Sequence, residues 1–275
     1  MKTIGQMFEH TQNLPTIPEV VRELIQTFNN PSIDNRSIAR KIAMDQVLMA
    51  RVLRAANSAH FGLSKQVGTI DDAILVMGMN ALRTLVIAGG LAGALKAPPG
   101  FDIKGFWKLT AATAGYSEWL AKRLKLKVEL AQTGGLILHI GVLLIYLELP
   151  KEAAAIDNAV KAGARRADIE TSLLGFTHAD VSAELAQRWN FPEELNAAFR
   201  ACPAPLSGDE FLPLAGVFHL AEIIAVARLN GDSDELLQAK LPEAVLGAFS
   251  LDAASLLTEL PSLTQVSAAL DEVLG

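Results

Sequence analysis

The stretch that decides the fold reads Gly134-Gly135-Leu136-Ile137-Leu138-His139-Ile140-Gly141-Val142-Leu143-Leu144-Ile145-Tyr146. It is apolar all round, and such a helix is buried in a protein core or in a membrane. The apolar segment 134–150 is about one turn shorter than the roughly 20 residues that span a bilayer, and it contains His139 and Glu148. The pattern therefore predicts a helix buried in a soluble core, with His139 as a core or interface histidine and not a ligand.

The composition is typical of a globular protein of the cytosol. The chain has 275 residues, 51% hydrophobic and 20% charged, so it is long and apolar enough to bury a sizeable core. Its single cysteine, Cys202, excludes an intrachain disulfide and fits a reducing compartment. The first ten residues lack the apolar region of a signal peptide. We therefore expect a cytoplasmic protein that does not bind a membrane.

Charge is distributed unevenly along the chain. The net charge is −6, but residues 1–97 carry ten basic and seven acidic side chains, which leaves −9 for the remainder. An acidic protein does not favour nonspecific nucleic-acid binding, and we predict no specific nucleic-acid partner. The basic N-terminal part is compatible with an anionic partner, although a solvated face of mixed charge is the more common explanation.

The motifs of common enzyme classes do not occur in the sequence. The five histidines include no His-Glu-x-x-His pair, and the glycine-rich run 89–93 lacks the following Lys-Ser or Lys-Thr of a phosphate-binding loop. There is no Gly-x-Ser-x-Gly elbow. Cys202 has only Arg200 as a basic neighbour, which is not typical of a catalytic thiol.

Helical periodicity runs through almost the whole chain, without hairpin signals, and predicts an all-α fold. The linker Ala97-Pro98-Pro99-Gly100 separates an N-terminal five-helix lobe, residues 1–97, from a second lobe, residues 98–275. Helices are predicted at 18–29, 34–43, 45–56, 71–78, 80–95, 104–125, 129–148, 151–162, 167–174, 178–189, 192–201, 210–229, 233–239, 242–249 and 252–272. We expect the amphipathic segment 256–274 to close the core; the alternative is packing on a partner.

Two blocks of motifs carry a family resemblance. The first consists of Leu14-Pro15-Thr16-Ile17-Pro18, Ala56-Asn57-Ser58 followed by Phe61-Gly62, and Gly78-Met79-Asn80-Ala81-Leu82-Arg83. The second consists of Phe106-Trp107, the stretch 135–141, and the segment from Gly175-Phe176-Thr177-His178 to Trp189-Asn190-Phe191-Pro192. Over roughly residues 14–225 the chain resembles the HDOD family, a non-enzymatic offshoot of the HD phosphohydrolase superfamily. The resemblance implies a five-helix lobe packed on a degenerate HD-like lobe.

The resemblance further implies that most metal ligands of the superfamily are missing. The first ligand histidine corresponds to a position near Leu109, the His-Asp pair to Leu138-His139, and the lysine after Ile-Gly to Val142. An aliphatic residue or an imidazole thus stands where hydrolases place a histidine, a bridging carboxylate or a lysine. We therefore expect no catalytic residue, no metal and no cofactor.

The remaining ligand positions are only partly occupied by donors. His178 matches a family histidine, a later His-His pair corresponds to Cys202-Pro203, and the final Asp corresponds to Glu222. Only His178 and Glu222 would be able to ligate. The resemblance therefore indicates a vestigial cavity around His139, His178, Cys202 and Glu222.

A candidate interaction surface lies where the two lobes meet. It comprises five polar residues: Arg51, Arg54, Asn57, Ser58 and Arg83. One interpretation is a recognition surface for a partner. The alternative is that Asn57 and Ser58 bond to nearby backbone groups and cap the preceding helix, which is the more common role of these residues in a turn.

For function, the resemblance implies a non-catalytic bacterial signal-transduction module that acts by protein–protein interaction. Its partners would be signalling proteins, together with a homo-oligomer as a further candidate. One alternative is a small-ligand or nucleotide sensor that uses the vestigial cavity. The other is a residual metal-dependent phosphohydrolase, which would need ligands that the sequence does not provide.

Overall fold

The protein is described by a computed structural model covering residues 3–10, 17–29, 35–58, 61 and 66–274. These residues form α-helices and no strand, which confirms the predicted all-α fold. The helices are α1 Ile4–His10, α2 Glu19–Gln26, α3 Asn35–Met44, α4 Gln46–Ala56, α5 Ile70–Ala94, α6 Ile103–Arg123, α7 Val128–Leu138, α8 Ile140–Glu148, α9 Pro150–Lys161, α10 Arg166–Leu174, α11 His178–Arg188, α12 Glu193–Ala201, α13 Pro213–Asn230, α14 Asp234–Lys240, α15 Glu243–Ala248, α16 Ala253–Glu259 and α17 Leu263–Leu274. Motif residues 14–16, 59–60 and 62 lie outside the described residues.

Local signals position the helices of the N-terminal lobe. The Asp45 carboxylate accepts hydrogen bonds from the amides of Val47 and Leu48 and caps α4. Thr69 caps α5 in the same way. Gly78 adopts φ 79° and ψ 160°, which kinks α5 where two separate helices were predicted. Helix α1 was not predicted.

Close helix contacts at glycines build the second lobe. Helices α6 and α7 approach so closely that a Cβ on Gly135 would lie 2.6 Å from the Ala114 Cα. A Cβ on Gly141 in α8 would lie 1.9 Å from the backbone carbonyl oxygen of His178 in α11. Glycine is therefore required at Gly141, because any side chain would push α8 and α11 apart.

The segment predicted as one helix, 129–148, is interrupted at His139. The Ser182 hydroxyl of α11 donates a hydrogen bond to the Leu138 carbonyl and accepts one from the Gly141 amide, both at 2.8 Å. A side chain inserted in this way replaces bonds of the helical ladder and ends α7 one residue before His139. The prediction of a continuous helix was wrong here, because the interrupting hydroxyl comes from a distant part of the chain.

The C-terminal helix closes the core, as predicted for segment 256–274. Helix α17 packs on α6 and also on α4 and α5 of the N-terminal lobe. Its Val273 lies against Gly89, and its Glu272 lies 3.7 Å from Arg54. The helix predicted at 252–272 is interrupted after Glu259, where Pro261 separates α16 from α17. Since α17 contacts both lobes, the division at residues 97 and 98 stays a prediction.

The two lobes also meet at an aromatic and ionic contact. The Phe28 ring lies 6.1 Å from that of Phe191, and the Asn29 amide donates to the Asn190 carbonyl at 2.9 Å. Arg83 stacks over Phe28 and pairs with Glu129 at 2.6 Å. Its side chain is only 12% exposed, so Arg83 serves the lobe junction and does not form part of an open surface.

Three helical segments are long and apolar enough to cross a membrane, judged by length and composition: Ile70–Ala94, Val128–Glu148 and Pro213–Asn230. In the fold, 50%, 83% and 56% of their apolar windows are buried. The two lobe cores thus account for much of this apolar surface, as expected for segment 134–150. That the protein does not bind a membrane stays a prediction.

The close approach at Gly141 can be tested by stability measurements. We expect Gly141→Ala to lower the free energy of unfolding by about 2–3 kcal/mol or more, because the added methyl group overlaps the α11 backbone. The control is Gly93→Ala at an exposed position of α5, where nothing lies within 4 Å of the new Cβ. Chemical denaturation should show that this control gains about 0.5–1 kcal/mol. Equal stability of the two variants would contradict the α8–α11 packing.

Candidate functional site

A cavity of about 790 Å³ opens in the second lobe, between α6, α8 and the helices that follow. It is lined by all four residues predicted for a vestigial site: His139, His178, Cys202 and Glu222. These residues are distant in sequence. The fold brings them together because α8 and α11 touch at Gly141 and α13 crosses the opposite side of the cavity.

His139 lies at the break between α7 and α8, where its ring enters the cavity wall. The ring Nε2 lies 3.1 Å from the Thr113 hydroxyl, and the residue is buried. Burial, together with the positive charges of His178 and Arg166, lowers the pKa of His139 to about 3. His139 is therefore a neutral imidazole.

His178 is the first residue of α11, and the preceding turn fixes its position. Thr177 and Asp180 form a capping box at the start of this helix. The Glu170 carboxylate, fully buried in α10, accepts hydrogen bonds from the His178 backbone amide at 2.8 Å and from Nδ1 at 2.7 Å. One carboxylate oxygen thus orients both the backbone and the ring of His178.

Glu170 and His178 form a buried ion pair. Burial by itself lowers the pKa of His178, but the Glu170 carboxylate outweighs this effect and the pKa is raised above its usual value. Burial likewise tends to raise the pKa of Glu170, but attraction to His178 and hydrogen bonds from it hold that pKa below its usual value. Each charge is therefore stable in the interior only because the other is present.

The second nitrogen of His178 faces the cavity. Nε2 is buried and has no hydrogen-bond partner among the described residues. It lies 3.9 Å from Oε1 of Glu222, too far for a hydrogen bond. The His139 ring stacks nearly parallel to the His178 ring, with 5.9 Å between centroids. One donor atom from each of His139, His178 and Glu222 lies within 4.8 Å of the others.

Charged pairs surround this centre. Arg166 binds Asp157 and lies 3.5 Å from Glu170, and Tyr146 donates to Asp157. Nearly every cationic group on this side of the cavity therefore faces an acidic partner. This arrangement leaves little uncompensated positive charge for an anion.

The thiol of Cys202 takes no part in this network. Burial raises the pKa of Cys202 well above its usual value, and the Glu222 charge acts in the same direction. Its backbone carbonyl lies 2.8 Å from Nδ1 of His219. A protonated buried thiol is neither a nucleophile nor a metal ligand.

The residues present do not fit the metal centre of an HD hydrolase. Leu138 is fully buried, and Leu109 and Val142 contribute aliphatic surface to the cavity where the resemblance places a ligand histidine and a lysine. Hydrolysis by this superfamily needs several donors and an activated water, which aliphatic side chains cannot supply. The centre that remains comprises two imidazoles and one carboxylate.

Two features of the site were missed in the sequence. His139 was predicted as a core histidine, and it is buried beside the Thr113 hydroxyl; the sequence did not indicate that one of its ring nitrogens lies within 4.8 Å of donor atoms of His178 and Glu222. Glu170 was not considered at all. Its position eight residues before His178 corresponds to no short motif, because an intervening turn folds α10 back against α11. Only the tertiary structure reveals either role.

The residues of the candidate interaction surface have different roles in the structure. Arg51 donates to the Gly89 carbonyl at 2.6 Å, and Asn57 bonds to the backbone of Leu53 and Val67. These contacts support the structural alternative, in which the Asn57 turn ties α4 to the following loop. Arg54 is 56% exposed and, with Ser58, lines a surface groove of about 730 Å³. Arg54 is thus the best placed of the five residues to contact a partner.

A family model for the HDOD domain matches residues 14–205. The chain belongs to the HDOD domain family. The match covers most of the chain and includes the break at His139 and the start of α11, which form two sides of the cavity. The recognition made from the sequence motifs is confirmed.

Solved structures share the whole HDOD architecture. A Shewanella amazonensis SB2B protein, provisionally named a phosphohydrolase, is 35% identical, with 98% of each chain covered and a TM-score of 0.81. An HDOD domain protein of unknown function from Geobacter sulfurreducens is 21% identical, with 98% of this chain and 96% of that chain covered and a TM-score of 0.77. The second likeness shows the fold alone.

Longer proteins contain a comparable unit. A Marinobacter aquaeolei VT8 protein, provisionally named a signal transduction protein, is 21% identical over 97% of this chain and 60% of its own, with a TM-score of 0.73. An uncharacterized protein of Treponema pallidum is 23% identical over 254 residues, 91% of this chain and 48% of its own length. The chain thus spans about half of this curated relative. The family match supports a regulatory domain.

The buried Glu170–His178 pair should contribute strongly to stability. We expect Glu170→Ala to lower the free energy of unfolding by about 3–5 kcal/mol, because it leaves a buried imidazolium unpaired. Glu184→Ala is the control. Glu184 and Arg188 form a partly exposed pair within α11, and loss of this pair should lower the free energy of unfolding by less than about 1 kcal/mol. Urea denaturation measures both. A loss below 1 kcal/mol for Glu170→Ala would show that the pair is not formed.

Proposed function

We propose that this HDOD domain is a non-catalytic regulatory module that transmits a signal by binding a signalling protein. The observation that carries the proposal is the aliphatic character of Leu109 and Val142 in the cavity wall and of the buried Leu138. By the family resemblance, these residues stand in place of two ligand histidines and a lysine of the hydrolases. The scaffold is kept while the ligand set of the hydrolase is lost. Such a protein retains a shape that other proteins can recognise.

Exposed apolar side chains support a docking surface on the N-terminal lobe. Four large hydrophobic residues of α3, α4 and α5 are strongly exposed: Met44, Val47, Leu75 and Val76. Leu75 is 84% exposed, close to the value of an isolated side chain. Apolar groups that project from packed helices are frequent at protein interfaces. Arg54 in α4 adds a cation of the kind that is enriched in interface hot spots.

Co-purification from the native host tests the docking surface. We expect Leu75→Asp combined with Arg54→Glu to abolish recovery of partners that the unchanged chain retains. Arg51 is left intact, because its bond to Gly89 holds α4 on α5. The control is Leu236→Asp, which changes a 56% exposed leucine of α14 in the other lobe. Recovery that is lost equally in the control, or in neither variant, would contradict the proposed surface.

The non-catalytic assignment has its own test. We expect no turnover of bis(p-nitrophenyl) phosphate above background with Mn²⁺, Zn²⁺ or Mg²⁺ added, because no set of donors for a bridged metal pair is present among the described residues. The measurement is release of p-nitrophenolate, with Glu222→Gln as the matched variant. Turnover that depends on Glu222 would overturn the assignment and favour the residual phosphohydrolase.

A small-ligand sensor is the second candidate. The cavity of about 790 Å³ supports it, since this volume is in the range of small-molecule sites. Thermal-shift measurements with nucleotides distinguish the two functions. A melting temperature that rises with nucleotide in the unchanged chain but not in His178→Gln would favour the sensor. For a module that binds only proteins, we expect nucleotides to leave the melting temperature unchanged.

A further inference from the structure

The cavity contains a cluster of three side chains of types that can bind metal ions, and the family resemblance accounts for only two of them, His178 and Glu222. His139 occupies a position where the resemblance places a carboxylate of the hydrolases, yet its ring lies beside the His178 ring and the Glu222 carboxylate. One donor atom from each residue lies within 4.8 Å of the other two. The three come from the α7–α8 break, the start of α11 and the middle of α13, so the tertiary fold alone assembles them.

The unpaired nitrogen of His178 points to a missing ligand. Its Nε2 is buried, faces Glu222 at 3.9 Å and lacks a hydrogen-bond partner among the described residues. A buried polar atom without a partner is destabilising. The surrounding helices nevertheless hold the atom in place. A cation bound at this point would displace the proton from Nε2 to solvent, take the nitrogen lone pair as a ligand and pair with the Glu222 carboxylate.

The other nitrogen of His178 is held as in known metal sites. Nδ1 and the backbone amide both bond to the buried Glu170 carboxylate. Histidines that ligate metals commonly have their second nitrogen fixed by a carboxylate, which orients the ring and makes the ligating nitrogen more basic. Glu170 is therefore a positioning residue for His178.

We propose that His139, His178 and Glu222 bind a single divalent transition-metal ion, with Glu170 orienting His178. Ligand atoms around a tetrahedral zinc are roughly 3.3 Å apart, given bonds of about 2.0–2.1 Å. The separation of 3.9 Å between His178 and Glu222 is slightly larger. The Glu222 side chain is 29% exposed and is the group that closes on the ion.

The donor set defines the class of the ion. Two imidazoles with one carboxylate suit Zn²⁺, Co²⁺, Ni²⁺ or Fe²⁺, whereas Mg²⁺ and Ca²⁺ favour sites built from oxygen ligands. Only one ion fits, because Leu138 and Val142 leave the neighbouring positions without donors. Three protein ligands keep at least one coordination position open towards the cavity.

Metal titration of the full chain tests the site. After removal of metals by a chelator, we expect Co²⁺ to bind with one ion per chain and to produce visible d–d absorption, and Zn²⁺ to displace it. Glu222→Gln and His178→Gln should weaken binding by more than about 100-fold, and Glu170→Gln by about 10–100-fold. His219→Gln is the matched control, since His219 lines the same cavity outside the donor cluster.

A second measurement distinguishes loss of metal binding from misfolding of a variant. Zn²⁺ should raise the melting temperature of the unchanged chain and of His219→Gln, but not that of Glu222→Gln. Glu222 is partly exposed and makes no hydrogen bond within the described part of the chain that its replacement would break, so this variant should fold normally. Binding well below one ion per chain, or equal binding by Glu222→Gln, would overturn the proposal. Neither result bears on partner binding, which rests on α3–α5.

Discussion

The contact between α8 and α11 at Gly141 is the constraint on which the site depends. A methyl group there would lie 1.9 Å from the His178 carbonyl oxygen, so the two helices can meet only at a glycine. Ser182 then joins them by bonding to Leu138 and Gly141. This joint ends α7, turns His139 into the cavity and places His178 opposite it. The position of both imidazoles follows from one missing side chain and one hydroxyl.

The electrostatics of the cavity follow from this geometry. His139 and His178 are both buried, yet burial leaves the first neutral, while Glu170 allows the second to carry a charge. The difference lies in the partners, since Thr113 offers His139 a hydroxyl and Glu170 offers His178 a carboxylate. The same fold thus shifts the pKa values of two stacked histidines in opposite directions.

The HDOD fold combines two properties that point to regulation. Its second lobe contains a cavity lined by both aliphatic and charged side chains. Its first lobe exposes apolar residues of α3–α5 and is joined to the cavity side through Arg83, Glu129 and α17. Ligand binding in the cavity and partner binding on the first lobe would therefore both act on one continuous hydrophobic core.

Much of the fold was predictable from sequence, because helix signals are local. Caps at Asp45 and Thr69, the kink at Gly78 and the apolar helix around 134–146 each depend on residues close in the chain. The motifs also indicated the cavity residues His178 and Glu222. The break at His139, the role of Glu170 and the burial of Arg83 were decided by the tertiary structure. In each case the determining partner lies on another helix, and a contact between two helices produces no periodic pattern in the sequence.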